Sequence, residues 1–166
     1  MNKIVIVDDN DQILGTKERT EVDYENDIYR SAALWIQNSN NEVLVAQRKL
    51  TKRQDPGKWG PSVSGTVDNG EDYDSNIYKE AGEEVGLKGY TFKKLEKVRY
   101  YEPHPQFAQW YKVVVDEPLE YFTPQPEEVE RLEWVTLDDL IQDVKENPEK
   151  YIASMDSAVV LLEKSV

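Results

Sequence analysis

The chain has 166 residues and no cysteine, and its 33 acidic against 20 basic residues give a formal net charge of −13. The lack of cysteine excludes disulfides, thiolate zinc ligands and cysteine nucleophiles. The charge disfavours a nucleic-acid partner, and no apolar run reaches the roughly 18 residues of a membrane-spanning helix. We expect one cytoplasmic domain over 1–166, because the short acidic N-terminus does not resemble a signal peptide.

Hydrophobic alternation predicts short strands in the first third of the chain. Lys3–Val7 and Gln12–Gly15 predict a hairpin-like start around a DDND turn, and the acidic stretch 21–27 predicts a loop. Ile28–Gln37 predicts a buried strand, and Glu42–Arg48 predicts its hairpin partner across an NSNN turn.

The segment Arg48–Lys58 is basic in an otherwise acidic chain. It holds the single acid Asp55 and five basic residues, which are Arg48, Lys49, Lys52, Arg53 and Lys58. A solvated loop explains any one lysine, but the cluster beside an acidic helix favours contact with phosphate oxygens. Arg48 and Lys52 are the candidate ligands, and Arg48 is the stronger because a guanidinium group binds phosphate in a bidentate way.

The next segment predicts a strand followed by an acidic helix. Trp59–Val67 predicts the strand, in which Gly65 allows close backbone approach and is a candidate for contact with the substrate. The helix is predicted to begin near Asp72–Asp74, where Asp and Ser suit an N-cap, and to end at Gly86, the expected left-handed residue.

Three glutamates lie on one side of this predicted helix. Glu80, Glu83 and Glu84 fall within an arc of about 100°, separate from an apolar stripe of Ile77, Ala81 and Val85. Like charges four residues apart repel, so a bound cation would turn a cost into a gain. A solvated acidic face is the alternative when the helix is considered alone.

The last third of the chain predicts further strands and two helices. The strands are Thr91–Tyr101, Gln109–Val115 and Val129–Val135, and a capping box at Thr136–Asp139 begins the first helix. Pro148 separates this helix from the last one. This element order predicts the α/β class, with a mixed sheet between helices in an α/β/α sandwich.

The acidic helix belongs to a longer pattern with fixed spacing, G-x5-E-x7-K-E-A-x-E-E-x-G-L. Its positions are Gly65, Glu71, Lys79, Glu80, Ala81, Glu83, Glu84, Gly86 and Leu87. The pattern resembles the Nudix box, in which arginine stands at position 79 and a bulky aliphatic residue at 81. The resemblance implies a single domain of Nudix fold.

The resemblance also implies roles for the box residues. Glu80, Glu83 and Glu84 would bind Mg²⁺ or Mn²⁺, which prefer oxygen ligands. Lys79 would pair with a nearby carboxylate and support the catalytic site, and Glu71 would buttress the start of the helix. The general base stays open between Glu83, Glu80 and the later Glu128, which is equally well explained as a surface acid.

Within the Nudix family the chain resembles the subgroup related to isopentenyl diphosphate isomerase. Three segments carry this resemblance: IVIVDDNDQILGTKER, VLVAQRKLTKRQDPGKWGPSVSG and EEVERLEWVTLDDL. Isomerase activity is disfavoured, because Ser64 stands where the isomerases have a catalytic cysteine. The isomerases also bind a metal through several histidines, whereas His104 is the only histidine in this sequence. Its position between prolines favours an incidental role.

These observations predict a divalent-metal-dependent hydrolase that cleaves a phosphoanhydride in a small diphosphate, with a nucleoside diphosphate derivative as the favoured substrate. The alternatives are an isomerase-like protein, a Nudix-fold module that binds nucleotides without turnover, and a structural acidic domain. The resemblance also implies a possible homodimer, because members of the family are often dimers. Four aromatic residues are candidates for contact with a base: Trp59, Tyr100, Tyr101 and Trp110.

Overall fold

The computed structural model describes residues 3–165, which form nine strands and three α-helices. The strands are β1 (Ile4–Val7), β2 (Ile13–Lys17), β3 (Ile28–Gln37), β4 (Glu42–Arg48), β5 (Trp59–Gly60), β6 (Val63–Thr66), β7 (Lys93–Tyr100), β8 (Gln106–Val114) and β9 (Val129–Thr136). The helices are α1 (Tyr73–Val85), α2 (Leu137–Glu146) and α3 (Met155–Lys164). Over 3–165, no helix is both long and apolar enough to cross a membrane.

The strands form one mixed sheet that is organised around β3. This strand pairs with β8 in parallel from Tyr29 to Gln37, and with β1 and β6 in antiparallel orientation. The next strand, β4, pairs with β5 and with β9, both in antiparallel orientation. The mixed sheet with its three helices confirms the predicted α/β class.

The predicted hairpin between β3 and β4 is confirmed in its antiparallel orientation but wrong in its extent. Both strands have the predicted bounds, but they pair only at Gln37 and Val43. Beyond that point they diverge, β3 toward β6 and β8 and β4 toward β9. The divergence opens a wedge in the sheet.

The single strand predicted over Trp59–Val67 is also wrong, because two short strands flank Pro61 and Ser62. Proline has no N–H group for a strand ladder. Ser62 is fully buried, and its hydroxyl accepts from the Ile36 N–H at 2.9 Å and donates to the Leu44 carbonyl. One side chain thereby joins β3 to β4 where their backbones separate.

The two largest parts of the apolar core lie on opposite faces of the sheet. Ile77, Ala81 and Val85 of α1 pack on one part, as the predicted stripe requires. The other part holds Trp35 of β3 and Met155 of α3, with further residues of α2 and α3. The helices therefore lie on opposite faces, which confirms the α/β/α sandwich.

The predicted ends of the acidic helix are confirmed. Asp72 is the N-cap, and its side chain accepts from the Ser75 N–H at 2.7 Å while Ser75 Oγ accepts from the Asp72 N–H at 3.0 Å. Gly86 ends the helix in the left-handed conformation, with φ of 71°. These local signals fix where the three glutamates lie on α1.

Asp11 joins the β1–β2 turn to the rest of the fold. It is buried, and its carboxylate accepts from Arg30 Nε at 2.7 Å, Lys97 Nζ at 2.7 Å and the Tyr73 hydroxyl at 2.9 Å. Burial alone would raise the pKa of Asp11, but the hydrogen bonds from Lys97, Arg30 and Tyr73 outweigh it and lower the pKa below its ordinary value of 3.8.

Candidate active site

A cleft of about 700 Å³ lies between α1, the wedge in the sheet and the chain before α3. All of the site residues predicted from the sequence line it, namely Arg48, Lys52, Gly65, Lys79, Glu80, Glu83, Glu84 and Glu128. The basic segment and the acidic helix therefore face the same space.

Two of the predicted metal ligands form a carboxyl pair. Burial raises the pKa of Glu84 well above its usual range, and the adjacent Glu80 raises it further. Burial also raises the pKa of Glu80, more than the hydrogen bond from Glu84 and the charge of Lys79 lower it. Both carboxyl groups are therefore harder to ionise than a solvated glutamate side chain.

The carboxyl pair fits a divalent cation in its chemistry. Two partly buried carboxyl groups packed together favour a state with less negative charge, and a proton or a cation can supply it. Within 3–165, no set of three or more acidic or histidine side chains is already arranged as a metal site. Glu83 is exposed at the cleft, so a complete set needs its side chain to turn toward Glu80 and Glu84.

Lys79 is the centre of a network of carboxylates. Its Nζ lies 2.7 Å from Glu71 Oε2, 3.4 Å from Asp68 Oδ2 and 3.6 Å from Glu80 Oε1. Arg19, which precedes β3, reaches the other oxygen of Asp68 at 3.1 Å. The pairing expected for Lys79 is therefore present. The guanidinium group of Arg19 binds the same Asp68 carboxylate that Lys79 contacts.

Glu71 holds the turn before α1 in place. Its Oε1 accepts from the Asp68 N–H at 2.9 Å and from Asn76 Nδ2 at 3.2 Å. Burial opposes ionisation, but the contacts with Lys79, Asp68 and Asn76 lower the pKa of Glu71. These contacts support the predicted buttress role.

We expect Lys79→Arg to raise kcat several-fold. A planar guanidinium group can donate to Glu71 and Asp68 at the same time, whereas an ammonium group acts as a point charge. Steady-state kinetics with the best substrate, beside Lys145→Arg on the exposed side of α2, measures the effect. An unchanged kcat would show that the lysine supports its carboxylates as well as arginine does.

Gly65 is required by the close approach of β6 to α1. A Cβ atom at this position would lie 2.5 Å from Glu80 Cδ and 2.9 Å from Glu80 Oε1. No side chain fits there unless Glu80 moves. The glycine therefore determines where the Glu80 carboxylate sits.

We expect Gly65→Ala to lower kcat by about 100-fold, because a displacement of about 1 Å in a positioned group can cost that much. The unfolding temperature should change little, since the side chain that must move is at the edge of a cleft. Gly15→Ala is the matched control, as a Cβ at Gly15 meets nothing within 4 Å. Equal activity of the two variants would contradict the role of Gly65.

The segment between β8 and β9 brings Glu128 to the cleft. The Gln125 N–H donates to the Glu84 carbonyl at 2.8 Å, and Gln125 in turn accepts from the Glu128 N–H at 3.1 Å. At the cleft, Glu128 forms an ion pair with Lys52, so a predicted base and a predicted phosphate ligand are partners. Arg48 lines the cleft with its Nε bound to the Gln54 carbonyl at 2.9 Å.

Several cleft residues were missed at the sequence level, because they lie in loops without a recognisable spacing. Arg19 and Asp68 extend the Lys79 network, and residues 152–154 close one side of the cleft. His104 also lines the cleft, with Nδ1 3.2 Å from the Tyr24 carbonyl oxygen. Of the four aromatic candidates for base contact, Tyr100 and Trp110 line the cleft.

Comparison with known proteins agrees with this geometry. The NUDIX domain family matches residues 28–155, so the chain belongs to the Nudix family. The chain is a hydrolase that acts on phosphorus-containing anhydrides. Nudix enzymes generally use divalent metals.

Within the family, the chain falls in the subgroup that resembles isopentenyl diphosphate isomerase. It is 28% identical over 163 residues to a prenyl-diphosphate phosphatase of Methanosarcina mazei, covering 95% of this chain and 93% of that protein. It is 25% identical over 167 residues to an isopentenyl-diphosphate Delta-isomerase of Pectobacterium atrosepticum, covering 92% and 87%. The crystal structure of DR0079 from Deinococcus radiodurans superposes with a TM-score of 0.83 at 21% identity, covering 95% of this chain and 97% of that one.

Proposed function

We propose that this protein hydrolyses a phosphoanhydride bond of a small diphosphate with Mg²⁺ or Mn²⁺. The observation that supports this most strongly is the Glu80–Glu84 carboxyl pair at the wall of a cleft that also holds Arg48 and Lys52. Acidic groups for a cation and basic groups for phosphate oxygens face one another across this cleft. A diphosphate bound with a divalent cation needs both.

Glu80, Glu83 and Glu84 would hold the metal, which lowers the pKa of a bound water and offsets charge on the leaving group. Lys79 and Gly65 keep the Glu80 carboxylate in position. Arg48 and Lys52 would contact the phosphates, and Lys52 would have to exchange its present partner, Glu128, for a phosphate oxygen.

The general base is proposed from the same residues. Glu83 or Glu80 can accept a proton from water beside the metal ligands. Glu128 becomes available when Lys52 turns to the substrate, because Lys52 is the partner that now occupies its carboxylate. The exchange would couple substrate binding to the release of a base.

Two substrate classes follow from the comparisons and the sequence. A nucleoside diphosphate derivative is the class favoured from the sequence, and a prenyl diphosphate is suggested by the name of the Methanosarcina relative. Isomerisation is not proposed, since Ser64 is a weaker acid and base than a cysteine thiol.

The test is release of phosphate or of a monophosphate from a panel of nucleoside and prenyl diphosphates with Mg²⁺, Mn²⁺ or a chelator. We expect turnover with metal and none with the chelator. A binding module without turnover would release nothing from any compound while still binding one of them. Appearance of dimethylallyl diphosphate from isopentenyl diphosphate would establish the isomerase instead.

Three expectations from the sequence stay predictions. They are a single domain over 1–166, a cytoplasmic location and a homodimer. Gel filtration with light scattering tests the last of these.

A further inference from the structure

The cleft continues from the acidic helix across the sheet to Trp110. Ser64 of β6 lies opposite Ala33 of β3, and Ala33 lies beside Trp110 of β8. Residues in one such row project from the same face of a sheet. With about 4.8 Å between strands, the Trp110 backbone lies about 10 Å from that of Ser64. The row therefore leads away from the carboxyl pair.

The floor of this part of the cleft, which we call the trough, consists of small side chains. The next row of paired residues on the same face of the sheet holds Ser31 and Ala108, which also line the cleft. Alanine is uncommon in strands, because it offers little to pack against neighbours. Small residues in two successive rows leave room that larger strand residues would fill. Tyr100 and Ile152 also line the cleft.

Trp110 lines the trough, and its buried indole N–H is a donor that lacks an acceptor. The side chain is 2% exposed, and among residues 3–165 its Nε1–H has no hydrogen-bond partner. Its stacked neighbour Trp35, with ring centroids 5.9 Å apart, donates to the Ala158 carbonyl at 3.2 Å. Buried indole N–H groups are normally paired in this way.

We propose that the trough binds the organic group of the substrate and that Trp110 Nε1–H donates to an acceptor on it. This inference rests on the proposed function, which places the diphosphate beside Glu80 and Glu84. It selects an organic group with a carbonyl oxygen or ring nitrogen, as a nucleobase has. An isoprenyl chain could fill the trough, but it would leave the indole unpaired. Trp110 is then a specificity-determining residue.

Nuclear magnetic resonance of the wild-type protein tests the hydrogen bond directly. The chain has four tryptophans, so the ¹⁵N-labelled protein gives four indole N–H signals. We expect ADP, GDP, CDP or UDP, added without metal, to move the Trp110 signal downfield. Isopentenyl diphosphate and pyrophosphate should leave it in place, and the Trp35 signal should hardly move. A Trp110 signal that moves with none of the nucleotides, or equally with isopentenyl diphosphate, overturns the proposal.

Kinetics of Trp110→Phe provide a second test. Phenylalanine keeps an aromatic ring against Trp35 but removes the donor, so kcat/KM for the best nucleotide should fall about tenfold, mainly through KM. Hydrolysis of prenyl diphosphates should fall less than hydrolysis of the nucleotide, because an isoprenyl chain has no acceptor for the lost donor. Trp35→Phe, which removes an indole bonded to α3, should lower the unfolding temperature and leave KM unchanged. An equal loss on both substrate classes overturns the specificity role.

The two failures can be told apart. Wild-type protein that hydrolyses no diphosphate contradicts the proposed function, whatever the indole signal does. The wild-type protein could instead hydrolyse prenyl diphosphates while nucleotides leave its Trp110 signal unchanged. That result would support the proposed function and overturn only the role assigned to Trp110.

Discussion

Glu84→Gln is expected to lower kcat by about 10³-fold while the fold is retained. The amide keeps the size of the side chain, but it removes one negative charge from the carboxyl pair that would bind the metal. A catalytic metal ion is worth several kcal/mol in the transition state, and each 1.36 kcal/mol corresponds to a factor of ten in rate. Steady-state kinetics at saturating Mg²⁺ measures the loss.

Thermal unfolding separates this metal effect from a structural one. Wild-type protein should gain stability with millimolar Mg²⁺, because a ligand that binds only the folded state stabilises it. Glu84→Gln should lose that gain and should unfold at the same temperature as the wild type, or higher, without metal, since one of two crowded carboxyl groups is gone. Glu163→Gln, at an exposed position on α3, is the control. Retained activity together with an unchanged Mg²⁺ effect would show that Glu84 is not a metal ligand.

Asp11→Asn is expected to destabilise the protein by about 3 kcal/mol at neutral pH. The substitution leaves the largely buried Arg30 without its carboxylate and also removes the partner of the part-exposed Lys97. Breaking a buried ion pair costs about 3–5 kcal/mol. Asparagine tolerates the positive φ of 60° at this position, so the loss reports charge and hydrogen bonds rather than backbone strain. For a chain of this size, the unfolding temperature should fall by about 6–12 °C.

The same variant predicts a pH dependence of definite sign. The pKa of Asp11 is lower in the folded protein than in the unfolded chain, so its contribution is present above the unfolded value of 3.8 and is lost as pH falls through the folded value. The difference between wild type and Asp11→Asn should therefore shrink in acid. Asp9→Asn, which loses only the exposed contact with Arg99, should cost about 0.5 kcal/mol or less. Equal effects of the two variants would contradict the buried cluster.

Local signals in the sequence were enough to predict the acidic helix and its surroundings. Asp72 and Gly86 fix the ends of α1 through contacts within a few residues, and the apolar stripe fixes which face packs on the sheet. Because these determinants are local, the position of the glutamates follows from the sequence. The spacing from Gly65 then identifies the family, and the clash with Glu80 explains that glycine.

Contacts between distant segments could not be predicted in the same way. Glu42–Arg48 has the alternation of a hairpin partner for β3, but it pairs with β3 at one residue only and with β9 along its length. Alternation alone does not state how far each pairing extends. Arg19 reaches Asp68, and Lys52 reaches Glu128, although nothing in their local sequence links them. The unpaired indole of Trp110 depends on the whole sheet being assembled.

The divergence of β3 from β4 has a consequence for the order of folding. Because the two strands share only one residue pair, neither can be completed by its neighbour in the chain. The pairing of β3 is completed by β8 and that of β4 by β9, and both partners come from the second half of the sequence. Pairings of this kind close long loops and form slowly. We expect α1 to form early, while the walls that turn its glutamates into a binding site are among the last parts of the molecule to assemble.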